Sequence, residues 1–361
     1  IADGLNRELA AEYHPFVLEL LLLAALEGDA AGAPLPDGVW ETIRRMADAL
    51  AATVDDRRHP SRQGDGDDGR GLIVDDPARN RVDALLELCG GLLGAAPWWP
   101  VIESGSVLAA VAMPLGRHRA LPGPTTRPHQ FPDAGITLLR DLVPRPDAVW
   151  CRIDHGPHGF LATTAHAHAD ALSCELRVAG VEILVDPGTY CYHGEPEWRR
   201  FFRSTLAHNT LEVGDRDRAI QGGPFLWLSR PNSWCAQASG LDKGDVAEIV
   251  IGHDGYRQVF GATHHRRLSF DRAARRLDVE DWLEASQDLP VRLAFHLGPD
   301  LDCQLTGATA LLRWAGGSAT LTLPGGLAWS AVRGAVDPPL GWYSRCLLYT
   351  SPSPRDDRPN L

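Results

Sequence analysis

Three short segments concentrate the side chains that can move protons or hold a metal. His166-Ala167-His168-Ala169-Asp170 is followed by Val185-Asp186-Pro187-Gly188-Thr189-Tyr190, and then by Arg203-Ser204-Thr205-Leu206-Ala207-His208-Asn209-Thr210. Residues two apart in a strand share a face, so His166 and His168 point the same way if the first segment is extended. Asp186 closes the next apolar run and enters a Pro-Gly turn, and His208 stands beside a polar Asn-Thr pair. Two or three imidazoles with a carboxylate make a donor set that suits zinc. An isolated HxH is usually surface or core histidine, but its company here sharply weakens that bland reading. A further cluster, His253-Asp254-Gly255-Tyr256 with His264-His265-Arg266-Arg267, is expected on a sheet surface, and His296 reads as structural.

The elements that must position these residues fall into two regimes. Up to residue 113 the chain is rich in Ala, Leu and Glu at helical spacing. Tyr13 to Glu27 is apolar nearly all round and predicts a helix buried among others; Val39 to Val54 and Arg79 to Leu93 predict amphipathic helices. Between the last two, Arg57 to Gly71 is a Gly/Asp/Arg loop that looks too polar to pack. Residues 114 to 135 carry five prolines and predict a linker or wrapping loop. The period then switches to two. Ile136–Leu142, Ala148–Ile153, Ser173–Val178, Val181–Val185, Ala247–Ile251 and Val291–Leu297 predict strands over a region reaching residue 343. Helices followed by strands predict an α+β chain of two domains. The end, 344–361, loses this pattern and resembles a translated sequencing adaptor, so it is read as a non-native tail.

Composition narrows the partners. The 361 residues are 44% hydrophobic and 23% charged, with a formal net charge of −12. That charge argues against nucleic acid, which needs clustered Lys and Arg. The longest apolar run, Phe16 to Leu26, is interrupted by Glu19 and is too short for a bilayer, so no membrane span is expected. The seven cysteines show no CxxC spacing and read as buried apolar residues rather than a zinc site or disulfide framework.

The series HxHAD, LVDPGTYxY and RSTxAHNTLEV is similar to the C-terminal sheet domain of the heparinase II/III family of polysaccharide lyases. Asp3-Gly4, Glu8 and Tyr13-His14 resemble that family's DG…E…YH helix, and the acidic Gly64-to-Arg70 loop resembles bacterial members linked to exopolysaccharide operons. The likeness spans roughly residues 3 to 300. It implies part of a helical (α/α) toroid over 1–113, a linker over 114–135 and an antiparallel β-sandwich over 136–343. It also implies a periplasmic or cell-envelope location and an N-terminal truncation that removes the helix bearing the family's carboxylate-neutralising Asn.

Carried over residue by residue, the resemblance implies a catalytic Tyr13 and His166. It implies a structural zinc on His168 and Asp186, with His208 the best third ligand. Glu8, His14, Arg199, Arg200, Arg203 and Asn209 are the expected substrate-binding residues. The expected reaction is β-elimination on an acidic, uronate-containing polysaccharide, in which neutralising the uronate carboxylate is the main electrostatic task. A tyrosine of ordinary pKa about 10 needs nearby cations to serve as base. His166 and the Arg199–Arg203 group are the expected source. Two other readings stand beside the lyase: a hydrolase in which His166, His168 and Asp186 bind a catalytic zinc, and a non-catalytic binder of acidic glycans. The oligomeric state is not legible.

Overall fold

The computed structural model describes residues 1–352. Helices come first: α1 (Tyr13–Ala30), α2 (Asp37–Thr53), α3 (Arg81–Leu93) and α4 (Val107–Ala112). Asn80 and Ser106 cap α3 and α4 by accepting from the Val82 and Ala109 amides, which supplies partners to otherwise orphaned N–H groups. Leu18, Leu22 and Leu26 of α1 meet Ile43, Leu50, Leu85 and Leu92 in one apolar core. The burial of α1 differs from the expectation. One stripe is sealed, while Leu20 on another face is 45% exposed. Glu19 is buried because the Arg81 guanidinium binds it at 2.8 Å.

The strands start with β1 (Gln130–Phe131), β2 (Ile136–Arg140), β3 (Val149–Asp154), β4 (Cys174–Val178) and β5 (Val181–Leu184), an antiparallel sheet in chain order. Helix α5 (Pro196–Phe202), strand β6 (Leu211–Val213) and the pair β7 (Gln221–Gly223) and β8 (Leu226–Trp227) follow. A second antiparallel sheet holds β9 (Ser233–Ser239), β10 (Val246–His253), β11 (Thr263–Asp271) and β12 (Arg276–Glu284), with helix α6 (Arg257–Phe260) between β10 and β11. Strand β13 (Val291–Leu293) pairs with β6. β14 (Asp302–Thr306), β15 (Thr309–Trp314) and β16 (Gly317–Thr322) form a third sheet. Two short pairs close the described residues: β17 (Ala335–Val336) with β18 (Pro339–Leu340), and β19 (Trp342–Cys346) with β20 (Tyr349–Pro352). The fold is α+β with mostly antiparallel strands in small sheets. Leu139, Cys151 and Ile153 of the first sheet share a core with Ile249, Ile251, Leu268 and Phe270 of the second.

The helical and strand regions are stitched together at polar points. Trp150 Nε1 donates to the Thr53 carbonyl at 3.0 Å, and Arg140 donates to the Ala52 carbonyl at 2.6 Å. Arg177 of β4 reaches Asp55 at 3.0 Å and the carbonyls of His59 and Pro60. This seam corrects the expectation for the Arg57–Gly71 loop. Its segment 61–66 is largely buried, because its polar groups find fixed partners across the seam.

A second correction concerns the His253 cluster. His253, His264 and Arg266 are fully buried rather than on a sheet surface. Asp281 explains it: Arg266 holds that carboxylate at 2.8 and 2.9 Å, His264 binds it at 2.7 Å, and His264 in turn contacts His253. Of the segment read as a tail, residues 344–352 are described. Ser344 is buried, its amide donates to the Pro187 carbonyl at 2.7 Å, and Arg62 donates to its carbonyl. Residues 353–361 of that segment lie outside the described residues. All seven cysteines are free.

Candidate active site and metal centre

The three motif segments converge where the loop before β4, the turn after β5 and the single 3-10 turn Thr205–Ala207 before β6 meet the start of α1. The first segment is not a strand: residues 164–170 are turn and coil. The two imidazoles nevertheless face one acceptor. His166 Nδ1 lies 3.2 Å from Asp65 Oδ2, and His168 Nε2 lies 3.0 Å from Asp65 Oδ1. Arg199 of α5 closes on the same carboxylate with both Nη atoms, one at 2.7 Å. Burial alone would raise Asp65, but the hydrogen bonds from His166, His168 and Arg199 prevail and hold it far below the usual carboxylate range.

Behind His168 sits a second cluster. One donor atom each from His168, Asp186 and His208 lie within 4.8 Å of one another, and all three residues are buried. Asp186 Oδ2 accepts from His208 Nδ1 at 3.0 Å. Burial would lower His208, but the Asp186 carboxylate outweighs it and lifts the imidazole above its ordinary value. Two nitrogens have no protein partner: His168 Nδ1 and His208 Nε2. Buried imidazole nitrogens without partners are costly unless something else satisfies them. With a carboxylate beside them, this donor set fits a zinc ion.

In front of Asp65, toward solvent, lies the pair separated by 153 positions of chain. Tyr13 and His166 meet edge to face with ring centroids 4.9 Å apart. The Tyr13 hydroxyl makes a short hydrogen bond with the Tyr192 hydroxyl and donates to Asp67 at 3.3 Å. Phe225 packs on Tyr192 and His166 at centroid distances of 5.2 and 6.0 Å. The His166 side chain keeps 25% of its surface exposed. Burial pushes the Tyr13 phenol above its ordinary value; the Tyr192 hydrogen bond pulls it down, and the Asp67 and Asp65 charges add to the rise. Arg199, expected as part of a cationic field here, is bound to the Asp65 carboxylate.

Several residues expected to contact substrate have partners within the protein. His14 is buried, takes a hydrogen bond from the Asn6 amide and lies 2.9 Å from the Met46 carbonyl; burial depresses its pKa to about 4. Arg199 is spent on Asp65 and the Pro224 carbonyl. Arg203, wholly buried, donates to the carbonyls of Ala167 and Gly223 and covers the Trp227 ring at 4.5 Å. Asn209 donates to the carbonyls of Cys174 and Val185 and accepts from the His296 amide. His14, Arg199 and Asn209 have their polar atoms committed to protein partners, while Arg203 keeps one buried nitrogen, Nη2, without one. Glu8 is half-buried on the approach to α1, and Arg200 is exposed at the end of α5.

The sequence reading missed Asp65, Asp67, Tyr192 and Phe225. The first two sit in the quoted Gly64–Arg70 run, and Tyr192 is the last residue of the LVDPGTYxY segment. Those positions carried a motif signal but no assigned role. Phe225 carried none.

A family model described as heparinase II/III-like, C-terminal, matches residues 123–352. No curated protein matches the chain. Among solved structures, a heparinase III, the BT4657 gene product, superposes with a TM-score of 0.69 at 19% identity, covering 98% of this chain and 49% of that one. The heparan sulfate lyase HepC from Pedobacter heparinus gives 0.68 at 15% identity, with 98% and 49% covered. Another heparinase III gives 0.57 at 16% identity, with 86% and 47% covered. The chain thus spans about half the length of the structures it resembles, and at these identities the likeness is one of fold.

Proposed function

The chain belongs to the heparinase II/III-like family, and from that premise we propose that it acts as a polysaccharide lyase on a uronate-containing acidic polysaccharide, by β-elimination. On this reading α1–α4 are part of an α/α toroid over 1–113, joined by the 114–135 segment to a β-sandwich over 136–343. The observation that carries the proposal is the meeting of Tyr13 and His166, one from the helical region and one from the strand region, at a partly open surface.

In the proposed reaction Tyr13 takes the proton from the sugar carbon beside the uronate carboxylate and returns a proton to the leaving glycosidic oxygen. The electron pair of the broken C–H bond forms the new double bond to the neighbouring carbon as that carbon's bond to the glycosidic oxygen breaks. A buried phenol surrounded by carboxylates resists ionisation, so two local devices count. The Tyr192 hydroxyl is placed to share the developing negative charge, and His166, when protonated, supplies the positive charge next to both phenol and substrate carboxylate. Arg200, exposed in the last turn of α5, suits contact with further anionic groups along the glycan.

His168, Asp186 and His208 would hold a zinc ion, which when bound supplies a fixed positive charge that ties the three segments together. The burial of all three, 1%, 3% and 0% exposed, favours a bracing role over the alternative of a hydrolase with a metal-bound water facing substrate. No helix among the described residues is long and apolar enough to cross a membrane. The family reading puts the protein in the periplasm or cell envelope of a bacterium; recovery from the cytoplasmic fraction would count against that.

The test uses a panel of uronate polysaccharides. It follows near-ultraviolet absorbance of the unsaturated uronate with the chain alone and with the chain joined to the N-terminal half of the heparinase III it resembles. A rise in either that depends on Tyr13 supports the lyase. New reducing ends without absorbance would indicate hydrolysis, and saturable binding without either signal would leave a glycan-binding protein.

A further inference from the structure

Asp65 is fully buried, ionised, and shared by both centres. Its carboxylate takes hydrogen bonds from His166 Nδ1, His168 Nε2 and both Nη atoms of Arg199. We propose that Asp65 is a positioning residue that sets the tautomer and orientation of His166 and His168 together, coupling the metal cluster to the proton-transfer pair. The inference rests on the reading of those two sites given above.

A carboxylate without a proton only accepts, so each ring nitrogen turned toward it must carry the hydrogen. His168 therefore holds its proton on Nε2. That leaves Nδ1 as a bare lone pair, the buried atom without a protein partner, on the side of Asp186 and His208. His166 holds its proton on Nδ1, which leaves Nε2 of the partly exposed ring turned away from that carboxylate. One side chain thereby decides which nitrogen faces metal in the first ring and which faces substrate in the second. A carboxylate behind a metal-binding imidazole is a recurrent device for fixing ligand geometry.

The loop that carries Asp65 is fastened to the same segments. The Asp65 amide donates to the His166 carbonyl at 3.0 Å, the Gly66 amide to Thr189 Oγ1 at 2.8 Å, and the Gln63 carbonyl accepts from the Ala11 amide at 2.9 Å. Gly64 adopts a φ of +69°, and a Cβ there would meet the His166 carbonyl oxygen at 2.8 Å. Helical region, catalytic histidine and Asp186 turn are thus held in one register by residues 63–66. Arg199 neutralises the carboxylate from the far side, which lets it stay charged in a buried setting.

The test is nitrogen-15 imidazole spectroscopy of the metal-free chain near neutral pH, with His166 and His168 assigned by single His→Gln variants. The wild-type His168 is expected to carry its proton on Nε2 and the neutral His166 on Nδ1. A His168 protonated on Nδ1 in the wild type would overturn the proposal without any Asp65 variant. Asp65→Asn offers one acceptor and one donor in place of two acceptors, so at least one ring must change tautomer, and zinc affinity should fall about 10- to 100-fold. Unchanged tautomers and an affinity within about threefold would refute the proposal. Arg199→Lys keeps both imidazole contacts and should leave the tautomers in place; a change as large as that of Asp65→Asn would mean general loosening and also refute it. A wild-type chain that takes up no zinc removes the metal reading alone, and the tautomers still decide for or against Asp65.

Discussion

Replacing His208 by alanine removes one of three buried donors and isolates the metal question from the substrate question. A ligand that binds only the folded state at about 100 times its dissociation constant adds about 2.7 kcal/mol of stability. Unfolding entropy of about 2.1 cal/mol/K per residue, over 361 residues, amounts to about 0.75 kcal/mol per degree. Zinc should therefore raise the melting temperature of the chelator-stripped wild type by about 3.5 °C. In His208→Ala only His168 and Asp186 remain, and the zinc-dependent rise should fall below about 1 °C. The variant also strands the buried Asp186 carboxylate without its 3.0 Å partner. Loss of one member of a buried charged pair costs about 3–5 kcal/mol, so the metal-free melting point should itself drop by about 4–7 °C. The informative quantity is thus the difference with and without zinc, measured by thermal unfolding near pH 7.5. Protons compete with metal for imidazole, so the zinc-dependent rise should shrink as pH falls toward 5. A wild type indifferent to zinc, or an equal rise in the variant, would refute the metal assignment.

Other consequences are independent of the metal. Tyr13→Phe keeps the buried ring and loses only the hydroxyl contacts to Tyr192 and Asp67, so stability should change by about 1 kcal/mol while turnover falls at least ~100-fold; turnover within a few-fold of wild type would remove Tyr13 from the mechanism. Arg266→Ala leaves the partly buried Asp281 with His264 as its remaining side-chain partner and should cost about 3–5 kcal/mol in denaturant unfolding; a loss under ~1 kcal/mol would show that the Arg266–Asp281 pair is not a stability determinant. Burial holds the folded His14 near a pKa of about 4, while the unfolded imidazole titrates near its ordinary value of about 6.5. The unfolded chain then binds a proton that the folded one refuses, so this contribution is present above pH ~6.5 and lost as pH falls toward 4. His14→Gln should flatten that part of the profile of urea midpoints, and parallel profiles would contradict the assignment.

The three motif segments, the helical stretch before them and the alternating stretches around them were legible because each is a local pattern. Helix α2 and strands β3 and β4 lie within a residue or two of the spans expected from apolar spacing, since burial on one face imposes that period directly on the chain. Strand β13 stops at Leu293, short of the expected Leu297. The backbone beyond it is tied instead to the Asn209 side chain and, through the His296 carbonyl, to the Val185 amide.

What the residues by themselves determined is the chemistry available: imidazoles, a carboxylate and a phenol, in an order that identifies the family. What only the tertiary structure decided is who faces whom. Asp65 sits in a run of glycines and acids that by composition belongs in water, and 101 positions separate it from His166. It becomes a buried hub because Arg199 and two histidines arrive together to offset the cost of taking its charge out of solvent. The same accounting turned Arg199 and Arg203 inward, toward a carboxylate and backbone carbonyls, where the sequence suggested a basic face for substrate. Partners of a buried charge are chosen by three-dimensional packing, and a linear pattern holds no record of them until the chain has folded.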